Sequence, residues 1–157
     1  MVLFYLGAER GPLQCEGPPL GPSMTSYRLG NDLDLDAVID VYRSSTLGER
    51  RPIDDRETMG KMLQAANLVV TAWDGDSLVG IARSLSDFCF CTYLSDLAVR
   101  LEHQRQGIGK ELMRRTQKAG KSATVFLFAA PAAVAYYEHV GFTAGSGWML
   151  TPLQRMR

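Results

Sequence analysis

The run Tyr93–Gln117, YLSDLAVRLEHQRQGIGKELMRRTQ, constrains the fold of this 157-residue chain more than any other stretch. It opens with the apolar Tyr93, Leu94, Leu97 and Val99 of a strand and crosses a short polar loop. A helix is then predicted to start on Gln104, Arg105, Gln106, Gly107, Ile108 and Gly109, with no proline to stop it. Strand, glycine-bearing turn and helix, in that order, make an anion site. The first turn of a helix carries backbone N–H groups without partners, and the aligned peptide dipoles leave roughly half a positive charge there. Glycines let a phosphate approach that backbone without meeting a Cβ. Arg100, Arg105 and Lys110 would add side-chain charge. The same two glycines also suit a tight strand–helix corner, and on their own they do not separate the two readings. A dinucleotide fingerprint, G-x-G-x-x-G, is not met, because Arg105 stands where its first glycine would be.

Charge excludes some classes of partner. Seventeen basic residues balance seventeen acidic ones, so nothing global favours nucleic acid or an anionic membrane, and any steering of a charged ligand must be local. The three cysteines, Cys15, Cys89 and Cys91, form no disulfide framework. Cys89 and Cys91 would lie side by side on one face of a strand. With His103 and His139 they give no zinc spacing, so no metal is expected, and a reducing, cytoplasmic compartment is the plain reading. At this length the chain is one domain, able to bury roughly two thirds of its unfolded surface without metal or disulfides.

Residues 1–23 stand apart in composition. From Gly11 to Ser23 they hold four prolines and three glycines, which favours an extended tail, and Met24 looks like a more natural beginning. The expected organisation is therefore an extension over 1–23, a tag remnant or disordered, and one domain over 24–157. No stretch approaches a membrane-spanning length.

Along that domain, Tyr27–Leu29 is a candidate strand, and Asp34 can cap a helix with Leu35, Val38, Ile39 and Tyr42 on one face. A second helix is expected from Asp54 or Asp55 to Ala66, with acids in its first turn. Leu68–Trp73 and Leu78–Leu85 read as strands joined by an Asp74-Gly75 hairpin, and Phe88–Val99 as the next strand. After the glycine-bearing helix, which should end near Ala119-Gly120, Thr124–Phe128 reads as a strand buried on both faces. Pro131 can open a helix from Ala132 to His139, ended by Gly141. Phe142–Thr143 and Trp148–Leu150 are expected to close the chain as a hairpin. Antiparallel strands before the glycine-bearing helix and a crossover around it make the fold class mixed α/β.

Gln104-x-x-Gly107-x-Gly109, preceded by Leu97-Ala98-Val99, resembles the acyl-CoA pyrophosphate signature Q/R-x-x-G-x-G/A of the GNAT N-acetyltransferase superfamily. Tyr136-Tyr137-Glu138-His139-Val140-Gly141-Phe142 is similar to the closing aromatic-Tyr-x-x-x-Gly-Phe segment of that family. Two motifs in the family's order are far more specific than either one. The resemblance covers about residues 26–151. It implies the GNAT acyl-CoA N-acyltransferase fold, a twisted mixed sheet of about six or seven strands flanked by about four helices.

It also implies an enzyme that moves the acetyl group of acetyl-CoA to a primary amine by direct attack. The charged loop from Glu49 to Asp55 favours a small polar acceptor, with an amino acid, an antibiotic and a protein N-terminus or lysine left open. Gln104, Arg105, Gln106, Gly107, Ile108, Gly109 and Lys110 would hold the pyrophosphate. Leu97, Ala98 and Val99 would pair with the pantetheine as with an extra strand, and a backbone N–H there would polarise the thioester carbonyl. Tyr137 would protonate the departing thiolate. Asp96 matches an acidic residue that some polyamine-acetylating relatives carry and is the candidate base. An ion pair with Arg83 is the competing account, because a lone carboxylate in an apolar strand is costly to bury. Tyr93, Asp54 and Asp55 are candidate acceptor contacts, together with Glu49, Arg50 and Arg51 in the same charged loop, and a solvated loop would explain that charge equally. One departure is Ala130, where many relatives carry an asparagine that contacts the donor. It leaves open a non-catalytic acyl-CoA-binding or sensor domain, and a homodimer built by strand pairing is also allowed.

Overall fold

The computed structural model describes residues 25–146. The extension over 1–23 and the closing strand expected at Trp148–Leu150 lie outside those residues. Five strands form one sheet in chain order, β1 (Ser26–Leu29), β2 (Leu68–Asp74), β3 (Ser77–Ser86), β4 (Cys91–Val99) and β5 (Thr124–Phe126). Four α-helices flank it: α1 (Leu35–Arg43), α2 (Arg56–Ala65), α3 (Ile108–Ala119) and α4 (Val134–His139). The first three strand pairings are antiparallel, whereas β4 and β5, joined across α3, are parallel. This is the expected mixed sheet with fewer strands, five among the described residues against six or seven.

Local chemistry sets the helix ends. Asp34, in extended conformation, accepts from the Asp36 N–H and starts α1. That helix buries Val38, Ile39, Val41 and Tyr42, and ends where the Ser44 hydroxyl donates to the Asp40 carbonyl. Asp55 caps α2 through the Thr58 N–H, so this helix starts at Arg56, just after the cap. Gly75 takes φ +57° in the turn between β2 and β3, as the Asp-Gly pair requires.

Two apolar layers sandwich the sheet. On one face α1 and α2 pack against Val69, Ile81 and Ala98. On the other, Ile108, Leu112 and Met113 of α3 pack against Val70, Val79, Ala82 and Val99. Adjacent residues of one strand serve opposite layers because side chains alternate across a sheet.

Several sequence expectations shift. The strand expected from Phe88 starts at Cys91, because one Asp87 carboxylate oxygen accepts from the N–H groups of Cys89, Phe90 and Cys91 and folds them into a loop. That capping holds the Asp87 carboxyl well below its usual range, at about 2, and leaves Cys89 exposed in the loop instead of beside Cys91 on a strand face. The glycine-bearing helix starts at Ile108, later than Gln104, because Gly107 sits in the left-handed region at φ +84°. Thr124–Phe128 contributes three strand residues, and Thr124 and Phe126 are exposed instead of buried on both faces. Pro131 opens a 3-10 turn, Pro131–Ala133, before α4 begins, and Phe142–Thr143 forms no strand. No helix among the described residues is long and apolar enough to cross a membrane.

Candidate active site

A fork in the sheet organises this end of the molecule. β4 is nine residues long, yet only Cys91, Thr92 and Tyr93 pair with β5, opposite Thr124, Val125 and Phe126. Beyond Tyr93 the β5-facing edge of β4 has no strand partner among the described residues. The unpaired part includes Leu97, Ala98 and Val99. It leads straight to the start of α3, where the Gln104 side-chain amide donates to the Val99 carbonyl at 2.9 Å. That bond ties the polar loop to the end of the strand.

The first turn of α3 is accessible. A Cβ built on Gly107 would meet nothing within 4 Å, so the backbone there is open to an approaching group. One built on Gly109 would lie 2.9 Å from the Tyr136 hydroxyl, so α4 lays a phenol against the same turn. Arg105, Gln106 and Lys110 are exposed around it, and Ile108 is buried beneath as the anchor of α3. Arg105 itself adopts φ +60°, which a side chain tolerates poorly. Arg100, the other expected cation, is committed elsewhere. Its guanidinium donates to the Leu78 carbonyl, the Ser44 hydroxyl and the Asp40 carboxylate, pinning α1 to the sheet.

Opposite the fork, α4 carries Tyr137. Its half-buried ring meets Tyr136 and Phe142 edge-on, with centroids at 5.5 and 5.6 Å. It shares a cleft with Phe126, Leu127, Phe128 and Val134. Burial, reinforced by Tyr136, raises the Tyr137 pKa above its ordinary value of 10.0, and the positive charge of Arg50 opposes the rise. The phenol therefore holds its proton at neutral pH and is chemically a donor. Tyr93 lies across the fork, stacked on Phe126 at 5.4 Å and edge-on to Phe128 at 5.9 Å.

Asp96 is 1% exposed, and both its carboxylate oxygens are engaged. Oδ1 accepts from Arg51 Nε at 2.6 Å, and Oδ2 accepts from Arg83 Nε at 2.5 Å and from the Tyr42 hydroxyl at 2.9 Å. The expected Arg83 ion pair is present, joined by two partners that the sequence alone did not link to it. The available signal was a tyrosine on an otherwise aliphatic helix face, whose hydroxyl needs a partner once buried. Asp54 and Asp55 lie apart from this network. Asp55 spends its oxygens on the Thr58 N–H and hydroxyl, while Asp54 is almost fully exposed beside Arg43. Among the described residues no group of three or more His, Cys, Asp or Glu is placed to hold a metal ion.

Comparison with known proteins agrees with this geometry. Residues 45–147, more than half of the chain, match the family model described as the acetyltransferase (GNAT) domain. An N-acetyltransferase of the ycf52-like type from Prochlorococcus marinus is 34% identical over 101 residues, covering 60% of this chain and 54% of that protein. A ycf52 N-acetyltransferase of Gracilaria tenuistipitata is 38% identical over 68 residues, 41% of this chain and 37% of that one. The chain thus spans about half or less of the length of these relatives. Among solved structures, a GNAT-family acetyltransferase of Streptococcus pneumoniae superposes with a TM-score of 0.68 at 25% identity, covering 83% of this chain and 100% of that one. An aminoglycoside N-acetyltransferase, AAC(6')-Iy, solved with CoA, superposes at 0.65 over 88% of this chain and 98% of that one, with 18% identity, a likeness of fold alone. On its sheet, its glycine-bearing helix start and the match to the family model, this chain belongs to the GNAT acetyltransferase family.

Proposed function

We propose that this protein transfers the acetyl group of acetyl-CoA to a primary amine of a small polar acceptor by direct attack. The observation that carries the reading is the fork, a strand edge from Leu94 to Val99 with no strand partner among the described residues, ending on the open first turn of α3. A pantetheine can hydrogen-bond to such an edge as an added strand, and a diphosphate can dock on the N–H groups at Gly107–Lys110. The residues fit the diphosphate end of this ligand, since a Cβ at Gly107 would meet nothing and Arg105 and Lys110 are exposed beside it.

In this reading a backbone N–H of the Leu97–Val99 edge donates to the thioester oxygen as negative charge develops there. The neutral amine attacks the thioester carbonyl carbon. The C–S bond then breaks, and Tyr137 gives its phenolic proton to the departing thiolate. Raised by burial, that phenol stays protonated until the thiolate forms. Asp96 was the candidate base, but three donors already hold its two oxygens. We therefore assign it an anchoring role and send the amine's proton to water. The aminoglycoside acetyltransferases among the fold neighbours support a small-molecule acceptor. The free Cys89 and Cys91 suit a reducing, cytoplasmic setting.

The test is a screen of amines with acetyl-CoA, reading released thiol, alongside Tyr137→Phe. Turnover should fall about 100-fold or more in the variant while donor affinity holds. Equal losses in both would make Tyr137 a packing residue. Donor binding without turnover on any amine would favour the non-catalytic reading, for which Ala130, with no polar group to offer the sulfur, is the supporting residue.

A further inference from the structure

The Asp96 network holds one more arginine than its charge requires. Arg83 is 7% exposed at its side chain and already neutralises the carboxylate. Its other nitrogens donate to the Met62 carbonyl of α2 at 3.0 Å and to the Ser95 hydroxyl at 2.8 Å. Arg51 comes from the connection between α1 and α2, outside the sheet. All three of its nitrogens are used, on Asp96 Oδ1 at 2.6 Å, on the Ser95 carbonyl at 3.0 Å and on the Arg50 carbonyl at 2.8 Å. A second guanidinium adds nothing to charge balance, and it costs desolvation. What it does add is a fixed, two-pronged grip that a point charge cannot supply.

The place it grips is distinctive. Opposite β3, Arg83 pairs with Asp96 and Ser84 pairs with Leu94, so Ser95 is the extra residue of a bulge. Bulges bend a strand and re-aim its edge. This one lies two residues beyond Tyr93↔Phe126, the final pair before β4 and β5 part. The loop arginine thus holds the carbonyl of the residue at which the fork opens. The adjacent Arg50 is the positive charge that opposes the burial-driven rise in the Tyr137 pKa.

We propose that Arg51 is a positioning residue, a tether that locks the α1–α2 connection to the bulge at Ser95 and so sets the acceptor side of the cleft against the donor edge of β4. The inference rests on the acetyl-transfer reading above and names the group that holds its two substrates in register. Without the tether the connection can swing while Asp96 remains neutralised by Arg83. The fold survives, the donor edge remains, and acceptor placement suffers.

The test compares full-length Arg51→Ala and Arg51→Lys with the parent protein, using an amine found active in the thiol-release screen. Arg51→Ala should raise the acceptor KM about tenfold or more while the acetyl-CoA Kd by calorimetry stays within about twofold. Arg51→Lys should recover only part of the loss, because an ammonium cannot span the Asp96 carboxylate and the Ser95 carbonyl in one plane. An unchanged acceptor KM in a folded Arg51→Ala protein, or full rescue by lysine, would overturn the proposal. Hydrogen exchange supplies a readout that needs no turnover. Amides of residues 48–55 and 94–97 should exchange faster together in Arg51→Ala, with those of β2 unchanged, and independent behaviour of the two segments sinks the tether. If the parent acetylates no amine yet the two segments loosen together, the acetyl-transfer reading fails and the tether stands.

Discussion

Asp96 and Tyr42 show how burial turns a polar residue into a structural one. Asparagine at position 96 would leave the buried Arg83 guanidinium and the half-buried Arg51 guanidinium facing a neutral amide. Removing one partner of a buried ion pair costs about 3–5 kcal/mol, so Asp96→Asn should lower the urea midpoint sharply, and a protein as stable as the parent would show that the pair is dispensable. Tyr42 gives a second expectation at this scale. Burial, and then the neighbouring Asp96 carboxylate, push its pKa far above the ordinary 10.0. Above pH 10 an unfolded chain ionises this phenol and the native state does not, so the unfolded state binds fewer protons. The stabilisation is therefore complete below that pH and declines by about 1.4 kcal/mol for each further unit. Urea titrations between pH 9 and 11 should show a shallower decline in Tyr42→Phe than in the parent. Identical slopes would remove Tyr42 as the cause.

The sequence made Asp96 legible as a charge needing a partner, and Arg83 as one answer. It did not reveal Arg51 as the other. Arg51 sits among Glu49, Arg50, Asp54 and Asp55, a composition that a solvated loop would share, and nothing in a linear pattern marks which arginine turns inward.

Among elements, α3 and α4 were both legible as helices, but what α4 packs against was not. The sequence Gly107-Ile108-Gly109 announces a helix start because left-handed backbone is cheap only for glycine. Gly107 adopts φ +84° with open space where a Cβ would go, so alanine there meets strain and no clash. Gly107→Ala should cost about 1–2 kcal/mol. Gly107→Glu should in addition abolish acetyl-CoA binding, since it places a carboxylate where a diphosphate would dock. Calorimetry showing unaltered donor affinity for the glutamate variant would remove this turn from the binding site. α4 is six residues long, and Tyr136 lies against Gly109 through a contact between segments far apart in the chain. Such a contact leaves no periodic trace. The exposure of β5 was likewise hidden, because an apolar run such as Thr124–Phe128 reads the same at the edge of a sheet as in its middle.

At the scale of the whole molecule, the order of elements was visible because each strand and helix carries its own cap or turn. The parting of β4 and β5 was not, since register between strands joined through α3 depends on packing that periodicity does not encode. A ligand that enters this parting should bind the native state alone. At 100 times its Kd such a ligand stabilises by about 2.7 kcal/mol, and for a chain of this size that is a rise of roughly 5 to 10 °C in Tm. A thermal scan with acetyl-CoA that shows no rise would count against the cleft as its site.

The edge of β4 that no strand covers among the described residues has a colloidal consequence as well. Unsatisfied main-chain donors and acceptors along a strand invite another copy to add itself there. Protein stored without nucleotide should self-associate with time, and a coenzyme thioester lying along that edge should keep it monodisperse by light scattering, the small molecule serving as the chaperone of the surface it binds.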